Sequence, residues 1–151
     1  DVSHAVSSNT ATHTVNANAA TPVPSCTSIT HGSIIAAGNT LTMTITNNSV
    51  FPLTTGVGTV TWNNDKGHQT GADKTLSLQS INIGTTNVWT GNDSVDSTVT
   101  FTNPAVIPAG PNTTVTMTLT FHQSYDNFDG TERIFINLTT PGCESNPILA
   151  Q

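Results

Sequence analysis

The sequence predicts an all-β domain, an antiparallel β-sandwich of seven to nine strands preceded by an extended N-terminal arm, and three observations carry that prediction. Apolar residues recur on alternate positions along most of the chain, as when Val115, Met117, Leu119 and Phe121 interleave with Thr114, Thr116, Thr118 and Thr120. That period of two belongs to a strand with one buried face. No segment shows helical periodicity, and Gly, Pro and Asn clusters interrupt the alternation about every 8–15 residues, as in sandwiches. The chain also holds 30 Thr among its 151 residues, and β-branched side chains suit the outer face of a pleated sheet.

The elements follow in order. Residues 1–25 form the arm and residues 26–151 the sandwich. In the sandwich the first run spans residues 29–35, interrupted by Gly32, and the turn at residues 37–40 leads to Leu41, Met43 and Ile45 alternating with Thr. Asn47-Asn48-Ser49 ends that strand and Pro52 marks the next connection. Residues 57–62 make a third run, and residues 63–74 a long polar loop holding both lysines. Leu76, Leu78, Ile81 and Ile83 follow with a shift of face near Ser80; then Val88-Trp89 precedes a predicted turn at Gly91-Asn92-Asp93. Val95, Val99 and Phe101 give another strand, closed by Asn103-Pro104. A turn at residues 107–112 introduces the strongly alternating strand ending at Phe121. A polar loop over residues 122–132 then leads to Ile134, Ile136 and Leu138, and the chain closes in Pro141-Gly142-Cys143 and a short tail. Val60, Trp62, Leu119, Phe121, Ile134, Ile136 and Leu138 are the expected core.

Composition removes several function classes. Charged residues are 8% of the chain, about a third of the usual share, and nine carboxylates face only Lys66, Lys74 and Arg133, for a net charge of −6. Phosphate recognition needs clustered Lys and Arg, so nucleic acid is not an expected partner, nor is anionic lipid. No apolar run approaches the ~20 residues of a membrane-spanning helix. With no n-region or h-region, the sequence reads as a mature form after removal of a targeting segment. Cys26 and Cys143 bracket the body and are expected to pair as a disulfide in an oxidising compartment, the alternative being two buried free thiols. The expected location is secreted, extracellular or cell-surface.

Candidate chemistry is sparse. His4, His13, His31, His68 and His122 lack the short spacing of a zinc site, although a fold that joined His68 to His122 would make a pair. Residues 126–132 place oxygen ligands beside Gly130, but the register of a calcium loop fails, and Asx-turns explain the acids better. Asn63, Asn64, Asp65 and Asp73, and Asp93 with Asp96, are looser acidic groups. An internal Lys–Asn isopeptide would need a buried Lys, and both lysines fall in the Gly-containing loop. No Gly-x-Ser-x-Gly elbow occurs and no carboxylate pair stands out, so the sequence predicts neither enzyme nor cofactor. Asn47, Asn92, Asn112 and Asn137 each begin an Asn-x-Ser/Thr sequon, a candidate glycosylation set.

The TLTMT strand followed by Ile45-Thr46-Asn47-Asn48-Ser49, and the segment IPAGPNTTVTMTLTF over residues 107–121, resemble the immunoglobulin-like domains of secreted and surface proteins of bacteria and archaea. The likeness spans residues 26–143 and implies an immunoglobulin-like sandwich and a surface location. Unlike antibody-type domains, the cysteines lie at the ends of the domain.

The arm is the remaining feature. After Asp1 no charged side chain occurs before Asp65, the histidines aside. Ala11, His13, Val15, Ala17 and Ala19 alternate with Thr and Asn, as a strand does, and Pro22 and Pro24 make a stiff spacer. In this the chain resembles donor-strand, pilin-like filament subunits, a resemblance that implies a homopolymer built head to tail by strand addition. The alternative is an adhesion, carbohydrate-binding or spacer module of an envelope protein, with Trp62, Trp89 and Tyr125 as a stacking surface. A third possibility pairs the arm within its own sheet or leaves it as a linker.

Overall fold

A computed structural model describes residues 26–63, 65, 67, 75–93, 98–126 and 128–151. The arm, with Ala11, His13, Val15, Ala17 and Ala19, lies outside the described residues, as do His68, Lys66, Lys74, Asp73 and Asp96. Among the described residues a single turn of 3₁₀ helix, Cys26–Ser28, leads into eleven strands: β1 (Ile29–His31), β2 (Ile35–Ala37), β3 (Thr40–Asn47), β4 (Leu53–Thr61), β5 (Leu78–Ile83), β6 (Thr86–Asp93), β7 (Thr98–Phe101), β8 (Val106–Ile107), β9 (Thr113–Phe121), β10 (Arg133–Leu138) and β11 (Ile148–Ala150).

The strands form two antiparallel sheets. The first runs β1-β3-β9-β5-β6, with β2 pairing β3 beyond β1; the second runs β11-β10-β4-β7, with β8 on the other end of β4. Register follows the alternation. Leu41 stands opposite Leu119 and Met43 opposite Met117, facing inward, while Thr42 meets Thr118 and Thr46 meets Thr114 on the outer face. The Thr46 and Thr114 hydroxyls are hydrogen-bonded at 3.1 Å. All seven residues expected in the core are buried, and Leu53, Phe101, Ile107 and Met117 join them. Trp62 and Phe121 pack edge to face at 5.8 Å, and Phe121 and Tyr125 at 5.2 Å.

Four details differ from the sequence pattern. The run over residues 29–35 divides into β1 and β2, and the chain bends so that Ile34 is buried while Ile35 turns outward. Gly91-Asn92-Asp93 continues β6 instead of turning. A Cβ on Gly91 would stand 2.4 Å from the Trp89 ring, so glycine here makes room for the indole. The fourth strand starts at Leu53, four residues before Val57, and carries a bulge opposite Asn137. After the bulge Gly58 lies beneath Phe101, whose ring would be 2.1 Å from a Cβ at that position. Finally, the tail contributes β11, which pairs β10 with Ile148 and Ala150 buried. The face shift near Ser80 is present as a break in register between Leu78 and Ser80.

Cys26 and Cys143 form a disulfide, with Cα atoms 5.2 Å apart across 117 residues of sequence. Among the described residues no helix is long and apolar enough to cross a membrane.

Candidate functional site

Where the arm joins the domain, the margins of the two sheets come together. Among the described residues β1 pairs only β3, and β11 pairs only β10, so each is a margin of its sheet there. Between them opens a cleft of about 460 Å³ lined by Cys26, Ile29, His31, Ser145, Asn146, Pro147 and Ile148. The disulfide holds one end of it, because Cys26 and Cys143 tie the start of the first sheet to the segment leading into β11. None of these lining residues is Asp, Glu, Lys or Arg. His31, exposed, donates from Nδ1 to its neighbour's carbonyl, Gly32 O, at 3.0 Å.

Chemistry of the strand margins matters because an open margin offers unpaired backbone groups to any passing strand. Natural margins are protected by charge, proline or a covering loop. Here β1 reads Ile-Thr-His, β2 Ile-Ala-Ala and β11 Ile-Leu-Ala. Not one carries a charge or a proline, and Ile35 and Leu149 stand 61% and 58% exposed on them.

The calcium-like loop has a different use for its acids. Asp129 Oδ1 accepts from Thr131 N at 3.1 Å, the predicted Asx-turn, and from Asn63 Nδ2 at 2.9 Å. Glu132, 1% exposed, accepts from Tyr125 Oη at 2.8 Å and from Gly130 N at 3.0 Å. These carboxylates therefore fasten the loop to the end of β4. Among the described residues no group of three metal-ligating side chains is assembled. His122 is engaged through Nδ1, which accepts from Ser77 N at 3.0 Å.

Burial raises the Tyr125 hydroxyl well above its ordinary value near 10. The N–H donated by Asn63 opposes that rise, while Glu132 and Asp129 add to it. Tyrosine is neutral below its pKa, so the folded state favours the protonated form. The resulting stability is complete below about pH 10, where the unfolded hydroxyl titrates, and is lost as pH climbs above it. Since Tyr125 is the sole tyrosine, tyrosinate absorbance should stay absent in the folded protein above pH 10 and emerge only together with unfolding. Tyrosinate formation with β-sheet circular dichroism intact would contradict this.

The sequons separate sharply. Asn47 cannot carry a glycan in the folded domain: it is 0% exposed. Its Nδ2 donates to Phe51 O at 2.8 Å and Pro108 O at 3.0 Å, with Ile107 O at 3.4 Å, while its Oδ1 accepts from Ser49 N at 2.9 Å. Asn112 is exposed, in the left-handed region at φ 59°, with its backbone N–H on Asn48 Oδ1 at 2.8 Å. Asn92 is exposed on β6, its Oδ1 accepting from Gln79. Asn137 is half-buried between Ile136 and Leu138, which face inward.

The expected sugar-stacking surface is not assembled. Trp62 and Tyr125 are buried, and Trp89 packs partly against the core. What sequence reading missed is the cleft itself. Its Cys26 wall was visible as a half-cystine, but β11 is too short to register as an alternation.

No family model, curated protein or solved structure matches the chain.

Proposed function

We propose that the chain is a structural subunit of an extracellular filament, polymerising head to tail as the arm of one molecule adds a β-strand to the next. The observation that carries this reading is the pair of uncharged margin strands β1 and β11 around a cleft at the residue where the arm joins, with the equally uncharged β2 continuing the margin of the first sheet. The arm supplies the complementary partner. It is free of charge from Val2 onward and patterned as a strand by Ala11, His13, Val15, Ala17 and Ala19. Backbone hydrogen bonds would give such a joint its strength and small alternate side chains its register. An immunoglobulin-like sandwich closed by a disulfide suits life outside the cell, where the bond persists. Glycans on exposed Asn92 and Asn112 would be compatible with that setting.

Electron microscopy tests the reading. The full chain should form filaments, whereas a chain lacking residues 1–24, and a full chain carrying Val15→Asp, should not. Filaments from all three, or from none, would remove the donor-strand proposal.

A further inference from the structure

On the basis of the filament reading, we infer that the cleft between β1 and β11 is the acceptor, and that its occupant is the segment over residues 11–19 of a second copy of this chain. Three observations converge on that occupant. The cleft walls, Cys26, Ile29, His31, Ser145, Asn146, Pro147 and Ile148, contain no charged side chain, and neither does the segment from Val2 to Asn64. No ion has to be desolvated to bring the two together, which is the usual obstacle to burying a polar strand.

Length agrees as well. The margin of the first sheet runs along β1 and β2, which pair β3 between Asn47 and Thr40, a strand of 8 residues or about 26 Å. The alternating stretch from residue 11 to residue 19 would span about 30 Å fully extended, enough to cover it.

A second copy is favoured over the molecule's own arm by the point of attachment. The arm joins at Cys26, which is itself a wall of the cleft and is tied to Cys143. To fill its own cleft the chain would have to reverse between residues 19 and 26, where Pro22 and Pro24 favour an extended course of about 3.1 Å per residue. A stiff spacer of this kind would favour a strand offered to another domain over one folded back on its own.

The opposite opening of the sandwich is less suited. β6 ends in Asp93 and contains Gly91, so a strand added there would meet a charge.

Mixing two full-length variants tests the assignment. One carries Val15→Cys and the other Asn146→Cys, with His31→Cys as a second acceptor probe on the facing wall. Under mild oxidation of filaments, the expected product is a disulfide-linked pair containing one chain of each kind, in which the Cys26–Cys143 bond remains intact by peptide mass. Unmodified filaments provide the control that needs no substitution. Amide exchange at residues 29–37 and 148–150 should slow by at least about tenfold relative to dissociated subunits. Filaments in which Val15→Cys links instead to Thr98→Cys, with the added protection on β6 and β7, would overturn the acceptor assignment and leave the filament reading standing. A single chain carrying both Val15→Cys and Asn146→Cys that cross-links internally as a dilute monomer would overturn the second copy as occupant. Failure of the unmodified chain to form filaments would overturn the filament reading itself.

Discussion

Replacing Cys26 and Cys143 together by alanine should lower unfolding stability by about 4–5 kcal/mol on the chain-entropy account. The bond closes a separation of 117 residues, so breaking it releases most of the unfolded chain from a constraint. Small domains hold about 5–15 kcal/mol in total, which makes this loss a large part of the whole. Denaturant unfolding monitored by circular dichroism measures it, and the steepness of the transition should rise with the loss of the bond, because the unlinked chain exposes more surface on unfolding. Reduction of the native protein should reproduce the shift. A loss below about 1 kcal/mol would mean that the unfolded chain is not appreciably restrained by the bond, contrary to the loop-closure account.

Asn47 carries the second large effect. Its amide sits at 0% exposure among three carbonyls and one N–H. Those carbonyls belong to Phe51 in the β3–β4 corner and to Ile107 and Pro108 at the end of β8, so one side chain joins two separate loops. Asn47→Ala removes this amide from all of them: Phe51 O keeps the Ser49 hydroxyl at 2.7 Å, while the Ile107 and Pro108 carbonyls and the Ser49 N–H lose this partner, and the expected cost is about 2–4 kcal/mol at roughly 1–3 kcal/mol per unmet group, with partial relaxation. Asn47→Asp should cost more near neutral pH, because a carboxylate oxygen would then face carbonyl oxygens. An aspartic acid that must be neutral to donate has a raised pKa in the folded state, so this variant should recover stability as pH falls. Urea midpoints at pH 7 and pH 4 compare the three forms. Peptide mass spectrometry of protein from a glycosylating host should find Asn47 unmodified, whatever the state of Asn112. A glycan on Asn47 in folded protein, or an Asn47→Ala midpoint equal to that of the parent, would contradict the assignment.

Strand identity was readable where alternation was long. β3 and β9 each keep a strict period over at least three apolar positions, and their inward and outward residues fall as the pattern predicts. β11 was not readable, because three residues, Ile148, Leu149 and Ala150, are too few to display a period. Its existence depends on β10 lying alongside. The predicted turn at Gly91 failed for a similar reason: local glycine signals a bend, but the Trp89 ring laid across it makes it a strand residue. Asn47 shows the limit most clearly. Its sequon resembles that of Asn112, yet one is buried and the other exposed, and the difference comes from Ile107 and Pro108, some 60 residues away in sequence. Glu132 likewise reads as a loop acid, and is accommodated as a buried residue by donors from Tyr125, Gly130 and Asn63. In the candidate site, the cysteine pair was apparent from its position. Its far wall, Ser145 to Ile148, has no signature of its own and is assembled by the fold.

The position of the disulfide has a mechanical consequence. Any pull on residues 1–25 enters the domain at Cys26, and any pull on the residues after Cys143 enters at the other end of the same bond. Tension applied between those two ends therefore passes through two sulfur atoms, and the chain between them, which contains β1 through β10, lies outside the load path. Such a force cannot unzip the sandwich strand by strand while the covalent link holds. Of the described residues only those after Cys143, with β11, lie beyond the bond and can be peeled, so the body from β1 to β10 adds no extensible length under such a load.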